Sequence, residues 1–499
     1  MTVALAALAE SFDIRGDRVT PIHDVTEDSR DVRPGSLFVA IPGTSDDGHR
    51  YIADATARGA AAVAIERTDA APAGLPTVIV PSARTALALF AQRLFDDPSR
   101  GLDVIGFTGT FGKTTTSHVL QQLLDAAGSR TAVIGSLGAR FNGVSYALGG
   151  MTTPSPMVLQ RAMRGIRDAG ATTVVMEVTS HALRQHRVHG LQFSGGLIAA
   201  IRPGEHIDFH RNYEDYVGAK RLFLGYLAPS AILAYDADNR AAAMLARERD
   251  DVRDVGVSLR RTAIGERRPE GERRTGNLRD RRILSLADAI FDDRGALLTV
   301  DGVQLRSALL GRANLRNVAL ALAFARQSGL RVGDARDVLA RLAPLRRRME
   351  RYDIAGRIVL DDTAGHPESF DATFEVADLI PAERTVVACA LRGSRGADIN
   401  RRNALSLAEH AQALRVSRTV VTEAADTAGD LNRVTPDERA AAREAFRQRG
   451  LEPVWHETMR GAMKDVAAHT HAGDLIVLVG AQGMDAGRDE LQKALGARP

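Results

Sequence analysis

One short stretch limits what this chain can become. Val104-Ile105-Gly106-Phe107-Thr108 is an apolar run of strand length, Gly109-Thr110-Phe111-Gly112 makes a glycine-rich turn, and Lys113-Thr114-Thr115-Thr116 opens a helical segment. A strand, a glycine turn and a helix in that order read as a nucleotide phosphate cradle. The glycines let backbone amides approach phosphate oxygens, Lys113 brings a point charge, Thr114 offers a hydroxyl to Mg²⁺, and the helix presents its N-terminal amides. The strict G-x-x-x-x-G-K-[ST] spacing is missed because position 107 is Phe. The compact form Gly-Thr-x-Gly-Lys-Thr-Thr remains.

A chain of 499 residues calls for more than one core, and three domains of ordinary size are expected. No apolar run approaches a membrane span, and the first residues lack the basic start of a secretory signal, so the reading is a cytoplasmic protein with no membrane span. Cys389 is the only cysteine, which excludes an internal disulfide and a cysteine-based metal site. A net charge of +3, from 65 bases against 62 acids, is too small to argue for nucleic acid. The type of base is more telling, since lysine occurs only at Lys113, Lys220, Lys464 and Lys493.

The first hundred residues mix short apolar strands (36–41, 62–65, 77–80) with helical stretches at 51–59 and 85–95, a small α/β domain. Pro98 and Gly101 mark its end. From 101 to about 330, strands such as 173–176 and 231–235 alternate with helices at 115–127, 156–169 and 213–227. That pattern predicts a parallel, doubly wound sheet with its ligands at the carboxyl ends of the strands. Leu259 to Arg282, with nine arginines and no apolar period, reads as a solvated loop rather than a nucleic-acid patch, because no aromatic interleaves with the charge. From 331 to 499, strands at 358–360, 385–388, 418–421 and 475–478 alternate with helices at 404–413 and 436–450, a second α/β sheet domain.

Three further places carry chemistry. Glu177 ends the strand 173–176, at the mouth of a sheet beside the phosphate loop, where a carboxylate suits Mg²⁺; the bland alternative is a buried carboxylate paired with an arginine. Glu205-His206-Ile207-Asp208-Phe209-His210 reads equally as a second metal shell, a set of caps, or nothing. Lys220 lies on a helix and by itself reads as a surface residue.

Taken in order, Gly-Thr-x-Gly-Lys-Thr-Thr, Thr152-Thr153-Pro154, Met176-Glu177-Val178 with Ser180-His181-Ala182-Leu183, His206-x-Asp208-x-His210 and Tyr216-x-x-Ala219-Lys220 resemble the Mur ligases, and most of all the branch that adds the third peptide residue of peptidoglycan precursors. The resemblance covers nearly the whole chain, from Asp28-Ser29-Arg30 through Gly311-x-x-Asn314-x-x-Asn317 to Arg348-Met349-Glu350. It implies three domains. The first (1–100) is a small α/β domain binding the acid substrate, the second (101–330) a central phosphate-loop ATPase sheet, and the third (331–499) a Rossmann-like domain serving the amino-acid and ATP sites.

The resemblance also implies the chemistry. A substrate carboxylate attacks the γ-phosphate of ATP, and an amine displaces phosphate from the acyl phosphate. Lys113, Glu177, His206 and Lys220 would be the catalytic set. Nucleotide contacts would come from Gly109, Thr110, Gly112, Lys113, Thr114, Thr115, Asn314, Arg348 and Asp362. Mg²⁺ would be held by Thr114, Glu177, His206 and a carbamylated Lys220. The acid substrate, a UDP-sugar peptide, would meet Ser29, Thr152, Thr153, Thr179, Gln185 and Arg187.

Departures are heavier in the last domain and around the metal. The Asp-Asn-Pro-Arg that reads diaminopimelate in many Mur ligases is replaced by Glu423-Ala424-Ala425-Asp426, and Gly-Lys-Gly-His-Glu by Ala481-Gln482-Gly483-Met484-Asp485. Asp-Tyr-Ala-His-x-Pro becomes Asp362-Thr363-Ala364-Gly365-His366-Pro367. Phe111 and Ile201 stand at asparagine positions, Glu205 replaces an aspartate, Met151 an asparagine, and Thr44-Ser45-Asp46 a His-Gln-Ala. The amine is therefore expected to differ from meso-diaminopimelate and to meet Arg392, Arg395 and Asp398. Three functions stay open: a cell-wall ligase with an unusual amino acid, an amide ligase recruited to another pathway with different substrates, and a nucleotide-binding regulatory relative without ligase activity. Nothing in the sequence fixes an oligomeric state.

Overall fold

The computed structural model describes residues 2–43, 46–203, 209–260 and 282–496. Chain contacts divide it into two compact units, residues 1–287 with 317–335, and residues 288–316 with 336–499.

The first unit holds two α/β layers. Strands β1 (Asp13–Arg15), β2 (Asp24–Thr26), β3 (Ser36–Val39), β4 (Ala62–Ile65) and β5 (Thr77–Ile79) form a sheet ordered β1-β5-β4-β3-β2, parallel except at β1. The strand expected over 36–41 stops at Val39. Helix α1 (Ala83–Leu94), N-capped by Ser82, lays Leu87, Phe90 and Ala91 on Leu37, Val39, Ala62 and Val78.

The second layer is a nine-stranded sheet built from β6 (Asp103–Thr108), β7 (Thr131–Gly135), β8 (Gly138–Phe141), β9 (Val144–Tyr146), β10 (Thr173–Glu177), β11 (Phe193–Ile198), β12 (Leu227–Asp236), β13 (Arg253–Ser258) and β14 (Arg282–Ser285), in the order β9-β8-β7-β10-β6-β11-β12-β13-β14. β6 runs parallel to both neighbours. A parallel strand buried on both faces needs apolar residues throughout, which is why 104–107 and 173–176 lack alternation. Helices α2 (Lys113–Ala126) and α3 (Pro156–Asp168) follow β6 and β9, a one-turn α4 (Ser180–Arg184) follows β10, and α5 (Tyr213–Arg221) precedes β12. The helix expected over 213–227 is shorter: a 3₁₀ turn occupies Leu222–Tyr226 and β12 begins at Leu227. Met157 of α3 joins the core under α1, so the two layers share side chains.

In the second unit, β15 (Ile290–Asp292), β16 (Gly295–Val300) and β17 (Val303–Ser307) make an antiparallel sheet. Helix α6 (Gly311–Gln327) contains the division between the units. Strands β18 (Glu350–Ile354), β19 (Arg357–Asp362), β20 (Thr385–Ala390), β21 (Arg418–Thr422), β22 (Val454–His456) and β23 (Leu475–Val479) are ordered β18-β19-β23-β20-β21-β22 and are parallel except at β18. One face buries Leu360, Val387 and Val477 under Phe370 of α7 (Pro367–Leu379), Leu407 of α8 (Ala397–Ala413) and Phe446 of α9 (Pro436–Gln448). The other buries Val359, Val386 and Ile476 under Met459 and Met463 of α10 (Met459–Ala468). Helix α8 starts seven residues before the expected position 404, because Asn400-Arg401-Arg402-Asn403 hides its apolar period.

The arginine-rich stretch 261–281, together with Glu205, His206 and Asp208, lies outside the described residues.

Candidate active site

The turn after β6 sits at the carboxyl end of the sheet's interior strand. Gly112 caps α2 with φ +82°, and a Cβ there would lie 2.1 Å from Asn317 Oδ1, so both conformation and space require glycine. The Lys113 ammonium donates to the carbonyls of Gly109 (2.9 Å) and Thr110 (3.1 Å). Thr114 and Thr115 are buried in the first turn of α2. The hydroxyl of Thr110 accepts from Arg202 N and lies 3.1 Å from Tyr216 Oη.

Lys220 arrives from α5, where Asn212 caps the helix. Its side chain is 1% exposed, and Nζ donates to the same Gly109 carbonyl (2.9 Å), with Thr108 Oγ1 at 3.5 Å and the Tyr216 ring centroid at 4.7 Å. Burial, and then the charge of Lys113, hold its pKa well below the ordinary lysine value. A lysine that reads as a surface residue in isolation is thus a buried amine at the phosphate loop.

Glu177 ends β10 in register with Phe107, and Val178 N donates to the Phe107 carbonyl. Its carboxylate, 1% exposed, accepts from Ser136 N (2.9 Å) and from Ser136 Oγ (3.3 Å). A Cβ on Gly135 would lie 2.2 Å from Glu177 Oε1, so this glycine makes room for the carboxylate. The polar chain continues outward. Ser136 Oγ meets Thr152 Oγ1 at 3.0 Å, and Thr153 donates to the Glu177 carbonyl while accepting from Thr179 N. Arg187 donates to the Thr153 carbonyl (2.8 Å) and to Gln185 Oε1 (2.6 Å). The structure therefore brings Thr152, Thr153, Thr179, Gln185 and Arg187 together in one string that ends on Glu177. Ser29 is buried in a 3₁₀ turn, and the charge of Arg187 acts on Glu27 two residues before it.

Beside this string, His210 Nε2 lies 2.9 Å from Ser180 Oγ, and the His181 ring packs on Phe209 with centroids 4.0 Å apart. Burial lowers the His210 pKa despite nearby Asp215.

Asn314, Arg348 and Asp362 are neighbours in the second unit. Asn314 Nδ2 donates to the Leu310 carbonyl, Met349 N donates to Asp362 Oδ1 (3.1 Å), and Arg348 donates to Thr363 Oγ1 (2.6 Å). Asp362 is buried and also accepts from Thr373 (2.6 Å), and burial raises its pKa. Arg392, Arg395 and Asp398 lie on the loop after β20 and in the first turn of α8. Glu423, first residue of the replaced Asp-Asn-Pro-Arg stretch, takes Arg439 through two bonds of 2.5 Å, and Asp426 accepts from Met459 N. Arg347, between β19 and the loop after β23, donates to Asp361 Oδ1, to the carbonyls of Gly480 and Ala481, and to Asp485.

Sequence reasoning left three neighbours of these residues without a role. Tyr216 and Asn317 stood inside quoted motifs, whereas Ser136 had no signal beyond following an apolar run.

No group of three or more His, Cys, Asp or Glu able to hold a metal occurs among the described residues. The oxygen set of Thr114 and Glu177 still fits Mg²⁺, a hard cation commonly held by one or two protein oxygens plus substrate phosphates and water.

Family models match three stretches: the Mur ligase family catalytic domain at residues 21–94, the Mur ligase middle domain at 107–325 and the Mur ligase glutamate ligase domain at 347–482. The UDP-N-acetylmuramoyl-L-alanyl-D-glutamate–2,6-diaminopimelate ligase of Pseudomonas putida is 33% identical over 489 residues, covering 96% of this chain and 92% of that one. The enzyme of the same name from Geobacter sulfurreducens is 37% identical over 337 residues, which span 67% of this chain and 63% of the relative. Among solved structures, a ligase of that name superposes with a TM-score of 0.66 at 21% identity over 99% of both chains. The MurF ligase from Thermotoga maritima in complex with ADP gives 0.63 at 19% identity, over 95% of this chain and 98% of that one. No helix among the described residues is long and apolar enough to cross a membrane.

Proposed function

The chain belongs to the Mur ligase family, whose members are ATP-dependent, ADP-forming ligases, and from that premise we propose that it joins the carboxylate of a UDP-N-acetylmuramoyl-dipeptide-like acid to the amino group of an amino acid other than meso-diaminopimelate. The observation that carries this reading is the convergence of two of only four lysines on the Gly109 carbonyl, one of them fully buried. The reaction balances in two steps. A carboxylate oxygen of the acid attacks the γ-phosphorus and ADP leaves; the amine nitrogen then attacks the acyl carbon, loses a proton, and phosphate leaves.

Each residue has a physical task. Lys113 and the amides opening α2 meet phosphate oxygens, and positioning with charge neutralisation is the main demand of phosphoryl transfer. The string from Arg187 to Thr152 offers hydrogen-bond groups to the acid substrate. Burial holds the Lys220 pKa well below the ordinary lysine value and so favours the neutral amine, the form that attacks CO₂: a C–N bond forms, a proton leaves, and the nitrogen side chain becomes an oxygen donor. Mg²⁺, when bound, supplies charge neutralisation, and Thr114, Glu177, His206 and the carbamate would hold it. In the second unit, Asn314, Arg348 and Asp362 are assigned to the nucleotide, and Arg392, Arg395 and Asp398 to the amine. The three domains are proposed as 1–100, 101–330 and 331–499.

Phosphate release from ATP and Mg²⁺, measured with UDP-N-acetylmuramoyl dipeptide and each amino acid in turn, tests the reading. Release that requires that nucleotide and one amino acid other than meso-diaminopimelate supports it. Release indifferent to the nucleotide points to a ligase of another pathway, and nucleotide binding without turnover points to a regulatory protein.

A further inference from the structure

The loop after β20 carries Arg392 and Arg395, and its backbone is held by a residue some forty positions away. Glu438 is the third residue of α9 and forms a capping box with Thr435, accepting from Thr435 N at 2.8 Å. A capping glutamate needs only that one donor. Here the carboxylate also accepts from Ser394 N (3.1 Å), Arg395 N (2.7 Å) and Gly396 N (2.7 Å), and the side chain is 1% exposed. Backbone hydrogen bonds hold its pKa below the usual glutamate range, against burial that would raise it.

The held segment is one the chain would not adopt unaided. Ser394 sits at φ +57° and Gly396 at +94°, and the left-handed region is unfavourable for a side-chain-bearing residue. Such a conformation persists only where the surroundings impose it. A second buried side chain closes the other end: Asn400 Oδ1 accepts from Arg392 N, and Asn400 Nδ2 donates to the carbonyls of Arg392 (2.8 Å) and Gly396 (3.3 Å). Three successive N–H groups pointing at one anion form a nest. In this nest the anion belongs to the protein, so a substrate carboxylate is left to the arginine side chains.

We propose that Glu438 is a positioning residue of the amine site: it occupies the nest of residues 394–396 and thereby fixes the backbone that presents Arg392 and Arg395 to the carboxylate of the incoming amino acid. The inference rests on the assignment of those arginines to the amine. Glu438→Gln keeps the size of the side chain but turns donors toward donors, and Glu438→Asp keeps the charge on a shorter stem.

The test uses the full chain with an equimolar pool of the proteinogenic amino acids and meso-diaminopimelate as the titrated amine, and amide hydrogen exchange as an activity-free readout. Expected in Glu438→Gln is an apparent KM for the pool raised about tenfold, KM for ATP and for the acid unchanged, kcat within about twofold, and protection lost at 394–396 but kept in β19, β20 and β23. Glu438→Asp should recover part of both effects. Unchanged protection at 394–396, or a common rise in all three KM values, overturns the proposal. So does an unchanged amine KM in Glu438→Gln when Arg392→Ala and Arg395→Ala raise it. An unchanged amine KM in those arginine variants overturns instead the assignment on which the inference rests.

Discussion

At the phosphate loop of the first unit, nitrogen donors gather: the amines of Lys113 and Lys220 share one carbonyl, and the N-terminus of α2 opens beside them. In the loops after β20, β21 and β23, carboxylates are engaged by the protein's own donors. Glu438 fills a backbone nest, Glu423 takes Arg439, Asp426 caps α10, and Asp485 takes Arg347. The first region keeps Lys113, Thr114, Glu177 and Lys220 of the resemblance despite Phe111 and Ile201, and the second departs from it more heavily. In the second, acidic side chains that replace family motifs have become part of the protein's own hydrogen bonding. On the proposed assignment, recognition of the amine there falls to Arg392 and Arg395.

The contrast is broken most severely by a failure at Lys220. Lys220→Arg cannot form a carbamate, and turnover should fall by roughly 100- to 1000-fold. Lys220→Ala should be equally slow and partly restored by a small carboxylic acid; full activity in both variants would remove the role. Gly135→Ala is a milder probe of the same region. Its Cβ would need space held by Glu177 Oε1, so kcat should fall about tenfold or more, with a higher Mg²⁺ requirement and little change in thermal stability.

On the other side of the comparison, Arg392→Ala and Arg395→Ala should each raise the amine KM about tenfold while leaving the KM for ATP alone, the cost of losing a charge-assisted bond. Unchanged amine saturation would detach these arginines from the site.

A smaller effect concerns a buried carboxylate engaged by Arg347. Burial lifts the Asp361 carboxyl to about 6, despite Arg347, which pulls it down. A carboxyl raised above its unfolded value favours folding in its protonated form, so its stabilising contribution is complete below about pH 4 and is lost as pH rises through about 6. Asp361→Asn cannot ionise. Between pH 4 and 7, wild type should lose about 2 kcal/mol relative to the variant in denaturant titrations, and a pH-independent gap would show that Asp361 titrates normally.

The cradle was legible because phosphate binding ties residue type to spacing within a few positions, and Glu177 because a charge ending an apolar strand has few other uses. Lys220 was legible only through the order of motifs, since nothing local distinguishes a buried lysine from a solvated one. The sheet at 290–307 has a local signal in Asp301-Gly302, which, with both residues at positive φ, is a two-residue hairpin turn between β16 and β17. Thr435-x-x-Glu438 is legible as a capping box, but the clamp on the loop is not, because the three loop amides lie 42 to 44 residues away in sequence.

The central claim is that the phosphate chemistry was kept while the amine changed. Mass analysis of the product from ATP, Mg²⁺, UDP-N-acetylmuramoyl dipeptide and meso-diaminopimelate in competition with the proteinogenic amino acids tests it most directly. The account predicts a new amide on the nucleotide-linked peptide carrying an amino acid other than meso-diaminopimelate. A product carrying meso-diaminopimelate alone would contradict it.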